Sequence, residues 1–182
     1  EVAVIRVVQA TLEDFEVALP QEVGGQPCTA TRKRRGVMLS LVDTTGTRGR
    51  GEASPLPGYS RESLDDVRAE LERFCRPSGH GGLVKLDVDL VAPSARAALD
   101  SAVLDLSAKL HQRSAAEELA QRFGCPLSRE PLELSRLLPL EKPLAAAEAA
   151  YGVGYRTFKV KECDPRRLPE LLGALRSRFA DR

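Results

Sequence analysis

The hydrophobic pattern of the chain changes character near residue 125, and this change constrains the fold more than any other feature. Before it, alternating apolar residues and short turn sequences are followed by stretches with helical spacing. After it, short apolar runs alternate with helical stretches, as in strand–helix units joined by right-handed parallel crossovers. We therefore predict two domains, at residues 1–125 and 126–182.

Three segments of the first domain are predicted to form an antiparallel meander of strands. Residues 2–9 are β-branched and alternate loosely, and residues 37–41 place one apolar face on a second strand. The turn sequence at 43–46 leads into a third strand at 48–53. Residues 20–36 are rich in proline, glycine and basic residues, and are predicted to be a loop that enters the second strand.

Three helices are predicted to follow in the first domain. Ser60 is a favourable N-cap residue for the first of them, and an alanine-rich apolar stripe predicts the second at 93–110. Ser114 and Glu117 form a capping box for a short third helix, which Gly124 ends.

The second domain is predicted to contain two strands and two helices in alternation. The strands are expected at 132–138 and 155–161, with an alanine-rich helix at 143–152 between them. Asp164 and Pro165 are the predicted N-cap and first residue of the second helix. Two strands are too few to make a stable parallel sheet.

Composition excludes several classes of function. The formal net charge is +1, aromatic residues make up 4% and tryptophan is absent, so we expect no nucleic-acid partner. No apolar run approaches the roughly 18 residues that a membrane span needs. We expect a cytoplasmic protein with free thiols and no zinc site, because its potential ligands are isolated from one another. They are Cys28, Cys75, His80, His111, Cys125 and Cys163.

Two lysines lie two residues apart in the predicted strand at 155–161. Lys159 and Lys161 would share a face, about 6–7 Å apart along the strand, with Phe158 and Val160 directed towards the helices. Two neighbouring ammonium groups disfavour each other's charge, partial burial adds to this effect, and a general base must be neutral. The pattern fits a proton-transfer lysine with a partner, and it also fits two solvated lysines at the end of a strand.

A proline-rich segment, residues 51–60, connects the third strand to the first helix. Its two prolines and central glycine favour a stiff loop with a defined shape. Such a loop is either a lid over a ligand or a tight connection.

Three stretches of the chain resemble a known family: RRGVMLSLVDTTGTRGRGEASPLPGYSRESLDDV, PSARAALDSAVLDLSAKL and GYRTFKVKECDP. In this order and spacing they are similar to the enolase superfamily, in its muconate-lactonizing-enzyme subgroup, and most similar to the o-succinylbenzoate synthases. The first and third stretches are the specific ones, and the three lie between residues 34 and 165.

The resemblance implies an α+β capping domain followed by the first two β/α units of an incomplete, TIM-like (β/α) barrel. It implies a Mg²⁺ ion that stabilises the enediolate formed when a base removes a proton alpha to a carboxylate. Lys161 matches the catalytic acid/base, Lys159 matches its companion, and residues 19–31 match one mobile lid. The residues that match the substrate-binding lid are Ser54, Pro55, Leu56, Pro57, Gly58, Tyr59 and Ser60.

The resemblance also implies a reaction, the dehydration of a cyclohexadiene carboxylate to o-succinylbenzoate in menaquinone biosynthesis. The alternatives within the superfamily are N-acylamino acid racemase, dipeptide epimerase and muconate cycloisomerase, and a homo-oligomer is left open. The family's three carboxylate metal ligands and its second lysine lie on later barrel strands, which this sequence does not include. We therefore expect a fragment of a longer enzyme, or a truncated gene product, that is inactive alone. The hypothesis of another class is a non-catalytic interaction module.

Overall fold

The computed structural model describes residues 5–23, 31–76, 83–128, 130–139, 141–161, 164 and 166–179. The chain forms two compact units, Glu1–Leu127 and Ser128–Arg182, and each is described by itself. Within the described residues, no helix combines the length and apolar character needed to cross a membrane.

The first unit contains a three-stranded antiparallel sheet in the order β1-β2-β3, together with helices. The α+β architecture predicted for this part of the chain is confirmed. Its elements are β1 (Val7–Val23), β2 (Thr31–Asp43), β3 (Arg48–Ala53), α1 (Leu64–Phe74), α2 (Pro93–Leu110) and α3 (Ala115–Phe123).

The prediction for the first two strands was wrong in its boundaries. β1 begins at Val7 and is 17 residues long, and the basic run that was expected in a loop belongs to β2. Cross-strand ion pairs explain why these charged residues form a strand. The Glu16 carboxylate of β1 lies 2.6 Å from Lys33 Nζ and 2.6 Å from Arg35 Nε on β2. Residues 24–30, between the two strands, lie outside the described part of the chain.

Helix α2 packs directly on the backbone of β3. Gly49 and Gly51 pair with Leu41 and Leu39 of β2, whose side chains are fully buried. A Cβ atom added to Gly51 would overlap the carbonyl oxygen of Ala98 on α2, and one added to Gly49 would overlap that of the helix's Ala102. The glycines of β3 and the alanine stripe of α2 therefore allow a close contact between helix and sheet.

The capping of α1 differs from the prediction. The N-cap is Ser63, whose hydroxyl oxygen accepts from Asp66 N at 3.1 Å while the Asp66 carboxylate accepts from Ser63 N at 3.1 Å. Ser60 instead closes the preceding loop, because its hydroxyl oxygen accepts from Leu56 N at 2.9 Å. The predicted boundaries of α2 and the capping box of α3 are confirmed.

The second unit contains two parallel strands, β4 (Ser135–Leu137) and β5 (Thr157–Lys159), each followed by a helix, α4 (Pro143–Gly152) and α5 (Leu168–Phe179). The two β/α units are confirmed, but both strands are shorter than predicted. A small core is formed by Leu138, which follows β4, by Ala147 of α4 and by Leu175 of α5. Phe158 and Val160 pack against this core.

The start of α5 was also predicted too early. The Asp164 carboxylate accepts from Arg166 N at 3.0 Å, which forms a turn before the helix begins at Leu168. Hydrogen bonds from Arg166 lower the pKa of the Asp164 carboxyl. Pro165, the predicted first residue of this helix, lies outside the described residues.

Candidate functional site

The segment at residues 54–60 leaves the sheet where β3 ends and folds back on itself through its own hydrogen bonds. The carbonyl oxygen of Leu56 accepts from Tyr59 N at 2.9 Å and from Ser60 N at 2.8 Å. Gly58 has a φ of 75°, a left-handed conformation that favours glycine at this turn. The loop therefore has a defined internal structure, as its prolines and glycine predicted.

The base and the tip of this loop differ in exposure. Pro55 is buried at the base, whereas Pro57, Gly58 and Tyr59 at the tip are exposed. The Tyr59 side chain is 72% exposed, which is unusual for a large aromatic residue and leaves its ring available for contact.

A cleft of about 720 Å³ lies beside the loop, between the start of β2 and the start of α1. It is lined by residues 33–35, 55–58 and 60–65. Four of its charged side chains are basic and two are acidic, and Glu16 of β1 pairs with two of the basic ones, which leaves a small positive excess that favours an anionic ligand. The basic ones are Lys33, Arg34, Arg35 and Arg61, and the acidic ones are Glu62 and Asp65.

Several of these charged side chains form hydrogen bonds with neighbouring residues. Hydrogen bonds from Lys33 and Arg35 lower the pKa of the Glu16 carboxyl on β1. The Glu62 carboxylate accepts from the Ser94 hydroxyl at 2.5 Å and from Ser94 N at 3.1 Å. This hydroxyl is the main cause that lowers the pKa of the Glu62 carboxyl.

The two predicted catalytic lysines lie at the end of the second parallel strand. Lys159 is the last residue of β5, and Lys161 follows two residues later. Both side chains are exposed in the described structure. The reason is that β5 pairs only with β4 in the described structure, which leaves this part of the strand open to solvent.

The predicted site residues thus fall into two groups. The first unit brings the loop at 54–60 together with the start of β2, and the second unit carries both lysines. Of the second predicted lid at 19–31, Leu19 and the residues up to Val23 belong to β1, and 24–30 lie outside the described residues.

Comparison with known families decides the assignment. The profile of the MenC N-terminal domain matches residues 9–106, which is more than half of the chain and includes the sheet, the loop and most of α2. The chain belongs to the MenC N-terminal domain family. The predicted resemblance to the enolase superfamily and to o-succinylbenzoate synthases is therefore confirmed for this part of the chain.

Relatives of this MenC-family chain have more than one activity. The chain is 30% identical over 159 residues to the o-succinylbenzoate synthase of Bacillus subtilis (strain 168), covering 81% of the chain and 42% of that enzyme. It is 28% identical over 176 residues to the L-Ala-D/L-Glu epimerase of Escherichia coli (strain K12), covering 94% of the chain and 52% of that enzyme. The chain thus spans about half the length of these curated relatives.

A solved structure supports the same fold. The dipeptide epimerase from Methylococcus capsulatus, complexed with Mg and the dipeptide L-Arg-D-Lys, is 23% identical and superposes with a TM-score of 0.68. The match covers 90% of this chain and 48% of the epimerase. The capping domain and the first part of a barrel are therefore the architecture of this MenC-family chain.

The described residues do not by themselves form a site for the Mg²⁺ ion that the superfamily implies. Oxygen ligands of a magnesium ion must converge on one point. No group of three or more histidine, cysteine, aspartate or glutamate residues converges in this way anywhere in the described ranges.

Two residues with a structural role in the first unit were missed from the sequence. Glu70 is buried on α1, and its carboxylate accepts from Val91 N and Ala92 N at 2.8 Å each. Glu70 lies three residues after Val67, on the apolar stripe of the helix, and this position could have predicted its burial from the sequence. Arg34, which contacts the base of the loop, had no such signal within the basic run.

Proposed function

We propose that this chain supplies the capping domain and the first two β/α units of an o-succinylbenzoate synthase-like lyase. Such an enzyme removes a proton alpha to a carboxylate and expels a hydroxyl group. The observation that carries the proposal is the match of residues 9–106 to the MenC N-terminal domain. The likeness to the Bacillus subtilis enzyme supports the choice of reaction.

The role proposed for Lys161 follows from its position after β5. In parallel β/α barrels, the active site lies at the carboxyl ends of the strands, so Lys161 would lie nearer the substrate than Lys159. As a neutral amine, Lys161 would accept the alpha proton, and as an ammonium it would then protonate the departing hydroxide. Lys159 would act through its charge on Lys161.

The first unit would contribute selectivity. The internally hydrogen-bonded loop at 54–60 presents Tyr59 to solvent beside a cleft with an excess of basic side chains. A small molecule that carries carboxylates is the substrate class that this charge favours. The proposal places the reaction in menaquinone biosynthesis and in the cytoplasm, with Mg²⁺ as the cofactor of the full-length protein.

A dipeptide epimerase is the second candidate. The observation that favours it is the match to the Escherichia coli epimerase, which extends over 94% of the chain. Epimerisation starts with the same proton abstraction by Lys161 but returns a proton to the opposite face of the same carbon. It therefore needs a second acid on that face and no leaving group.

The experiment that separates the candidates is an assay of the full-length protein with Mg²⁺ on both substrates. Dehydration is measured as the formation of o-succinylbenzoate. Epimerisation is measured as the exchange of the alpha hydrogen of L-Ala-L-Glu with deuterium from solvent. Dehydration alone supports the proposal, and exchange alone overturns it in favour of the epimerase. Absence of both reactions would favour the non-catalytic module.

A further inference from the structure

We infer that Arg34 is a positioning residue that fixes the base of the loop at 54–60. This inference rests on the proposed function, because it gives a substrate-contacting role to that loop. The Arg34 guanidinium of β2 donates from Nη2 to the carbonyl oxygen of Ser54 and from Nη1 to that of Pro55, the latter at 3.5 Å.

The strand register explains why a side chain is needed at this point. The pairing of β2 with β3 ends at Val37 and Ala53, although β2 itself begins six residues earlier, at Thr31. Beyond Ala53 the chain leaves the sheet, so the next two carbonyl groups lack partners in the strand ladder. Pro55 cannot donate a backbone hydrogen bond either. The Arg34 guanidinium donates to these two carbonyl oxygens in place of a neighbouring strand.

The packing next to Arg34 holds the same segment close to β2. Gly36 lies two residues along the strand and therefore on the same face. A Cβ atom at Gly36 would overlap the Ser54 hydroxyl and would lie 2.7 Å from the carbonyl oxygen of Ala53. The half-buried Arg34 and the buried Gly36 thus contact the loop base from one side, while the loop's own hydrogen bonds shape its tip.

The neighbouring Arg35 makes a matched control. Its Nε donates to the Glu16 carboxylate on β1 at 2.6 Å, and among the described residues it donates no hydrogen bond to the loop. Alternation along the strand therefore gives two adjacent arginines different tasks. Arg34 connects the sheet to the loop, and Arg35 connects β2 to β1.

The first test is amide hydrogen exchange of the complete chain, comparing Arg34→Ala, Arg34→Lys and Arg35→Ala. We expect the amides of Leu56, Tyr59 and Ser60 to exchange on the order of tenfold faster in Arg34→Ala, which corresponds to about 1.4 kcal/mol. Arg34→Lys should restore part of the protection because an ammonium still donates to one carbonyl. Arg35→Ala should leave these amides unchanged. Equal exchange in wild type and Arg34→Ala would overturn the inference.

The second test separates positioning from simple stability, using the substrate that the full-length protein turns over. Arg34→Ala should raise KM about tenfold with little change in kcat, and Arg34→Lys should lie between it and wild type. Unchanged KM despite faster loop exchange would overturn the positioning role. If wild type turns over neither substrate, the proposed function fails, and loop exchange alone decides whether Arg34 anchors the loop.

Discussion

The buried carboxylate of Glu70 offers a sharp test of how the first unit is held together. Glu70 lies on α1, and its two oxygens accept from Val91 N and Ala92 N at the start of α2, each at 2.8 Å. The N-cap residue of α2, Ala92, makes no side-chain cap hydrogen bond. The carboxylate therefore satisfies the two amides that lead into α2, and its negative charge lies at the favourable end of the helix, while Glu62 accepts from Ser94 N in its first turn.

The substitution Glu70→Gln keeps the size of the side chain and removes one acceptor. One amide hydrogen bond survives at the remaining oxygen, while the new amino group faces the other backbone N–H. Hydrogen bonds to charged groups are worth about 1.5–3 kcal/mol, so we expect a loss of that size in the free energy of unfolding. The control is Glu72→Gln on the same helix. Glu72 is 50% exposed and pairs with Arg68 at 2.9 Å, a contact worth at most about 0.5 kcal/mol.

Urea unfolding at neutral pH measures both variants. A lower midpoint with an unchanged m-value would show a loss of stability rather than a change in the unfolded state. Amide exchange should also accelerate at residues 91 and 92 in Glu70→Gln and not in Glu72→Gln. The reasoning is refuted if the two variants have the same free energy of unfolding within about 0.5 kcal/mol.

Three further predictions concern packing, acid stability and catalysis. Gly51→Ala should cost about 1–3 kcal/mol in urea unfolding because its Cβ overlaps the backbone of α2, whereas Gly152→Ala, with no atom within 4 Å, should be neutral or stabilising. Burial opposes ionisation of Asp43, but hydrogen bonds from Thr45 and Thr47 hold its carboxyl pKa below the ordinary 3.8. Asp43→Asn should therefore be less stable than wild type at neutral pH, and unfolding curves should converge as the pH falls through that lowered value. In the full-length enzyme, Lys161→Ala should reduce kcat by about 10²–10⁴-fold with an unchanged circular dichroism spectrum, and Lys159→Ala should reduce it less. Near-wild-type kcat for both variants would instead identify them as solvated lysines.

Local signals in the sequence were enough for several elements. β3 occupies residues 48–53 as predicted, since the preceding turn is closed by the Asp43 side chain, which accepts from Thr45 N and Thr47 N at 2.9 Å each. The capping box of Ser114 and Glu117 and the left-handed Gly124 set both ends of α3. In each case the residues that determine the boundary are close together in the chain.

Boundaries that depend on distant residues could not be predicted in this way. From the sequence alone, the basic run at 32–35 predicts a loop. It forms a strand because Glu16 of the neighbouring strand pairs with Lys33 and Arg35. Two serines compete for the N-cap of α1, and the choice of Ser63 follows from the Asp66 carboxylate that completes its capping box. The short β5 likewise depends on the length of β4, with which it pairs in the described structure.

The candidate site likewise has features that local sequence signals predict and features that depend on distant residues. The stiffness of the loop at 54–60 followed from its prolines and glycine, and the pattern around Lys159 predicted a strand, although β5 ends before Lys161. The carbonyl contacts of Arg34 required the three-dimensional register, because the residues involved are 20 and 21 positions apart in sequence. Assignment of roles to the lysines required the family resemblance and stays a prediction.

The construction of the first unit explains how a loop of this kind can vary without loss of the fold. β3 delivers the loop, and β3 is held from behind by α2 through Gly49 and Gly51 and by the Asp105 carboxylate, which accepts from Arg50 N at 2.8 Å. None of these contacts involves the exposed loop tip. Changes at Pro57 or Tyr59 would therefore alter the surface offered to a ligand while the platform beneath stays intact. This separation suits a family whose relatives include both a synthase and an epimerase.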